Sequence, residues 1–184
     1  MANTALVGSE RKEMRGAKAV GNADPAERIE VSVLLRRSNA DALKERMGKL
    51  SRLKEVGTHL SREEFERQFG AADADIAAVK KFAGSYHLSV VQSHAGRRTI
   101  VLSGTVAQFN EAFGVSLQRF DYPGGSYRGR VGSIQLPDDL RDRVEAVLGL
   151  DNRPAAKPHF RLRGSARQCR RRHILHAAAN RLTL

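Results

Sequence analysis

The chain has 184 residues, enough for one domain of ordinary size with tails but not for two packed domains, and its 41% apolar content permits a core. The net charge of +12 is uneven: residues 1–27 carry four basic and four acidic groups, 28–154 carry twenty and sixteen, and 155–184 carry eight and none. A single cysteine, Cys169, excludes an internal disulfide and a thiolate zinc site, and no apolar run is long enough for a signal-peptide core or a membrane span.

Residues 1–27, rich in Gly, Ala and scattered charge, read as a flexible leader. "RIEVSVLL" (28–35) alternates Ile29, Val31, Val33 and Leu35 against Glu30 and Ser32, the period of a half-buried strand. Asn39 is placed to cap a helix whose Leu43, Met47 and Leu50 share one face, with Gly57 in the connection after it. In "LSREEFERQFG" Ser61 and Glu64 predict a capping box, Phe65 and Phe69 face inward, and Gly70 suits the position after the helix. Asp73 opens a longer helix with Ile76, Val79 and Ala83 on one face.

"HLSVVQS" and "RTIVLSG" follow as strands joined through "HAGR", where Gly96 supplies the turn. "TVAQFNEAFG" predicts a helix capped by Thr105, with Val106, Phe109 and Phe113 inward and Gly114 as its stop. "VSLQRFDYPGGSYRGRVGS" predicts a second hairpin around Pro123, Gly124 and Gly125. Pro137 begins a last helix with Leu140, Val144, Val147 and Leu148 on one face, ended by Gly149. The order implies an α+β ferredoxin-like plait, an antiparallel sheet with helices on one face, plus a hairpin arm and a C-terminal helix. Val90 with Val91, and Ile100, Val101 and Leu102 in succession, put apolar side chains on both faces of that sheet, so something covers the second face.

No nucleophile elbow, phosphate loop or dinucleotide fingerprint occurs, and Ser61, Ser103 and Ser133 fit capping or turn roles. Six histidines lie scattered; His173 and His176 have ligand-like spacing but no third ligand nearby, and no metal is expected. The plait also serves RNA-binding modules that stack bases on aromatics of the central strands, yet "HLSVVQS" and "RTIVLSG" contain none. Arg97, Arg98, Arg119, Arg128 and Arg130 could form a basic patch; the expectation is solvated hairpin arginines instead.

"LSREEFERQFG", "SGTVAQFNEAFGVSLQRF", "YPGGSYRGRVGSIQLP" and "VLGLDNRP", in order over about residues 28–160, closely resemble the activation domain of pro-kumamolisin, the propeptide of sedolisin-type serine-carboxyl peptidases. The resemblance implies a domain like the subtilisin propeptides that helps its peptidase fold, blocks the active site, and is released by self-cleavage at acid pH. The catalytic domain would then be both the partner and the cover of the second sheet face. Residues 28–150 would form the activation domain and 151–160 the linker crossing the substrate cleft, with Asp151, Asn152, Arg153, Pro154, His159 and Phe160 as cleft-occupying candidates. Pro154 and Pro158 suit an extended path there. Acid sensing would fall to paired carboxylates, with Glu63, Glu64, Glu66, Asp138, Asp139 and Asp142 as contributors by type.

The family's Glu, Asp and Ser triad and its calcium belong to a catalytic domain outside these residues, so this chain is expected to have no peptidase activity or cofactor of its own. The same resemblance implies an extracellular location, and a monomer that binds neither nucleic acid nor membrane is expected; the alternative is a stand-alone nucleic-acid-binding module using the basic tail. Residues 161–184 read as a disordered basic tail. A codon set for "HILHAAANRLTL" (173–184), shifted by one base, encodes T-S-Y-T-P-P-Q-I-A-S-L, similar to the start of the family's mature domain. The tail is therefore expected to be protease coding read out of frame, and the chain a truncated or frameshifted fragment.

Overall fold

A computed structural model describes residues 3–51, 59–154 and 156. In chain order the elements are β1 (Asn3–Ala5), β2 (Lys18–Asn22), β3 (Arg28–Leu35), α1 (Ala40–Ser51), α2 (Arg62–Phe69), α3 (Asp73–Ser85), β4 (Ser89–His94), β5 (Thr99–Thr105), α4 (Val106–Phe113), β6 (Gln118–Tyr122), β7 (Gly125–Gly129), β8 (Gln135–Pro137), α5 (Asp138–Arg141) and β9 (Val144–Leu148). Contacts divide the chain into Met1–Arg153 and Pro154–Leu184; in the second unit only Pro154 and Ala156 are described, both exposed.

The main sheet has the order β4-β5-β3-β9, with every neighbouring pair antiparallel. β5 lies between β3 and β4, and β3 lies between β5 and β9, so each helical crossover skips one strand: the ferredoxin-like plait. Ile29, Val31, Val33 and Leu35 of β3 and Ile100 and Leu102 of β5 point to one face and are buried, as their alternation predicts. Over that face lie α3 and α4. Val79, Phe82 and Ala83 meet Val106, Phe109 and Phe113 there, and the Phe82 and Phe113 rings stand 5.6 Å apart.

The helix ends follow their local chemistry. Ser61 and Glu64 form the predicted capping box on α2 (2.8 and 3.1 Å), and Thr105 with Gln108 forms another on α4. Gly114 stops α4 in the left-handed region at φ +57°. Asn39 differs from expectation. It is itself left-handed (φ +50°), and its Nδ2 donates to Gln68 O at 3.0 Å instead of capping α1. On α1, Leu43 is half-buried while Met47 and Leu50 are exposed.

The expected C-terminal helix is corrected. α5 is a single turn, and Val144–Leu148 is a strand, β9, that completes the plait against β3. The 140, 144, 147, 148 spacing suits a helix and, because a bulge shifts the register between Leu34 and Leu35, also a strand with Val144 and Val147 inward. The β6–β7 hairpin forms as expected but lies outside the plait, in a sheet of order β2-β6-β7.

The flexible leader expected over residues 1–27 is likewise corrected. β1 pairs with β8, β2 pairs with β6, and Leu6 and Ala23 are buried. These short strands gain order from backbone bonds to edge strands, which no local periodicity reports.

Candidate interaction face and chain exit

The side of the plait away from α3 and α4 is built from the outward residues of each strand. Register places Leu148, Ser32, Val101 and Gln92 in one row across the sheet, and Ala146, Leu34, Thr99 and His94 in the next. Neither row holds a carboxylate, lysine or arginine. Glu30 is exposed beside them, and Glu145, at the far edge, is paired with Arg98 at 2.5 Å. A bulge at Val91 on the edge strand β4 leaves Val90 and Val91 both exposed, 39% and 56%. Its two rows carry aliphatic, hydroxyl, amide and imidazole side chains, and no Phe, Tyr or Trp stands on any of the four strands. Such a surface suits packing against another protein.

Beside it, the chain leaves β9 along a fixed path. Gly149, at φ +105°, passes so close to β3 that a Cβ would lie 2.7 Å from Glu30 O. Arg128 then holds the turn: its side chain donates to Leu150 O (3.3 Å) and Gly149 O (3.4 Å) and pairs with Glu27. Asn152 exchanges hydrogen bonds with the Arg128 backbone, N–H to O at 3.0 Å and Oδ1 from N–H at 2.6 Å. Asp151 accepts from Arg153 N (2.9 Å) and Nε (2.7 Å), while Arg153 Nη1 donates to Lys12 O (2.8 Å) and the guanidinium lies 5.2 Å from the Tyr127 ring centre. Hydrogen bonding to Asp151 raises the Arg153 pKa above its ordinary value, so the guanidinium stays charged.

Of the sequence-expected linker residues, the structure brings Asp151, Asn152 and Arg153 together against β7 and the N-terminal segment. Pro154 is exposed just beyond, and His159 and Phe160 lie outside the described residues. The hairpin arginines depart from the solvated expectation. Side chains of Arg98 and Arg128 are only 14% and 11% exposed and Arg130 is buried, all three engaged with carbonyls; Arg97 and Arg119 are exposed as expected, Arg119 standing 3.9 Å from Asp121. Apart from Gly132 O, which Arg130 also reaches, the carbonyl partners of these three lie 21 or more residues away, which is why spacing carried no signal for them.

A family model described as the pro-kumamolisin activation domain matches residues 15–153. Kumamolisin of Bacillus sp. (strain MN-32) is 41% identical over 162 residues, 88% of this chain and 29% of that protein. Tripeptidyl-peptidase sed5 of Aspergillus fumigatus is 27% identical over 167 residues, 80% of this chain and 28% of that protein, and sedolisin of Pseudomonas sp. (strain 101) is 27% identical over 108 residues, 59% and 18%. The chain spans less than a third of the length of each of these relatives.

Proposed function

This chain belongs to the pro-kumamolisin activation domain family, and from that membership we propose that it is the propeptide of a sedolisin-type peptidase, acting as its inhibitor and folding template. The observation that carries the reading is the pair of uncharged rows on the outer face of the plait, with Val101, Leu34, Ala146 and Leu148 outward, beside an exit path held by Asp151, Asn152 and Arg153. In this reading the catalytic domain packs on that face, Asp151, Asn152 and Arg153 stay clasped to their own domain, and the chain from Pro154 to Phe160 leads across the substrate cleft. The peptidase activity belongs to that domain and not to residues 15–153.

Release on acidification follows from linkage. A carboxylate ionised and paired in the complex stabilises it above the free carboxylate pKa, and that stabilisation is lost as pH falls through the lower pKa of the complex. Mixing the chain with mature kumamolisin tests the reading. Slow, tight inhibition is expected at neutral pH, weakening towards about pH 4, where free carboxylates titrate; absence of inhibition at neutral pH would overturn it. Val101→Lys should weaken inhibition without lowering the melting temperature, since its side chain faces outward. The tail's register is tested separately, by reading the gene through and past codon 184: codons incompatible with the shifted frame refute the frameshift.

A further inference from the structure

A cleft of about 150 Å³ opens along the outer edge of β9. One wall is β9 and its continuation to Asp151, the other is the loop Leu6–Ser9, and Arg11 and Arg130 line it. β9 is bonded to β3 on one side only, and residues 145–148 make no other backbone hydrogen bond to a described residue. The cleft therefore presents an unpaired strand edge, which can accept an added strand. Its volume suits one side chain and is well below that of a site for a nucleotide or a drug-sized cofactor, roughly 300 Å³ or more.

Charge narrows the choice of side chain. Arg130 is only 4% exposed; it donates through Nη2 to Ser9 O at 2.6 Å and through Nη1 to Gly132 O, while its Nε has no hydrogen-bond partner among the described residues. Burial, then the nearby charge of Arg11, lowers the Arg130 pKa. Asp151 faces these cations but already accepts from Arg153, and Glu145 is held by Arg98. Two guanidiniums thus share a recess whose two carboxylates are both engaged elsewhere, and an incoming anion would relieve their repulsion. Val7 (82% exposed) and Leu148 (54%) form an apolar rim, and Leu148 also stands in the outer face of the plait, so the cleft continues that face.

We propose that this cleft takes an extended, carboxylate-bearing segment of the partner peptidase, pairing with the outer edge of β9 and seating an aspartate or glutamate side chain between Arg130 and Arg11. The partner's identity rests on the propeptide reading; the chemistry of the cleft does not.

Two experiments separate the two. In the first, the ¹⁵N-labelled chain is titrated at neutral pH and low salt with the capped peptide acetyl-Thr-Val-Glu-Val-amide and with its Gln counterpart. Saturable amide shifts confined to residues 6–11 and 145–151 are expected with the Glu peptide, at least tenfold weaker with Gln, and lost in Arg11→Glu. Equal response to both peptides, or no saturable shift, overturns the proposal. Arg11 is exposed, so this variant avoids the folding risk of replacing buried Arg130. In the second, Arg11→Glu should raise the inhibition constant against mature kumamolisin at least tenfold; an unchanged constant overturns the assignment of the cleft to the peptidase. Failure of the unmodified chain to inhibit sinks the propeptide reading, while the titration still decides the cleft.

Discussion

Glu63 sits in the first turn of α2, where hydrogen bonds from its own backbone N–H and the Ser61 hydroxyl lower its pKa below the ordinary glutamate value. A depressed folded pKa means that the carboxylate stabilises the fold above its unfolded pKa, and that this contribution is lost as pH falls through the folded value. Thermal melts should therefore show Glu63→Gln melting below the parent at pH 7, with the two converging below about pH 3; a constant difference across that range would refute the charge-based role. The capping partners at this position were legible, because a capping box joins residues three apart. Arg98 and Arg128 were not, because their guanidiniums satisfy carbonyls of Leu35, Gly149 and Leu150 that only folding brings near.

Among the elements, β9 depends on one glycine. Gly149 combines a left-handed φ of +105° with a backbone approach that leaves no room for a Cβ beside Glu30 O. Gly149→Ala should lower unfolding free energy by about 1–3 kcal/mol in urea denaturation; a neutral result would mean that β9 ends differently. By contrast, Gly70 and Gly96 are not needed for a left-handed turn: Gly70 is extended (φ −70°), and the left-handed residue of the β4–β5 turn is Arg98, at φ +58°. At both glycines the constraint is close packing, against Glu66 O and Ala95 O at Gly70 and the Glu66 side chain at Gly96. The type of β9 was ambiguous in sequence. A short apolar run with 3- and 4-residue spacings fits a helix face, and a bulged register makes the same residues fit a strand.

For the whole molecule, the N-terminal segment decides where the folded unit begins. Deleting residues 1–22 removes β1, β2 and buried Leu6, together with the Met14 N–H donated to the Tyr127 hydroxyl at 3.2 Å. Loss of Leu6 burial alone predicts about 2 kcal/mol, so the truncated chain should unfold at visibly lower urea; an unchanged midpoint would restore the leader reading. The sequence by itself determined the plait's inner face, the Ser61–Glu64 capping box and the Thr105 cap, the β6–β7 hairpin and the family. Each of these is written in neighbours two, three or four residues apart, or in motifs long enough to match as strings. Only the tertiary structure decided that residues 3–5 and 18–22 are strands, that 144–148 closes the sheet, and that Arg98, Arg128 and Arg130 are internal braces. Those outcomes depend on backbone edges and carbonyls supplied from about a hundred residues away or more in the case of β1, β2 and Ser9, and local pattern carries no record of partners at that distance.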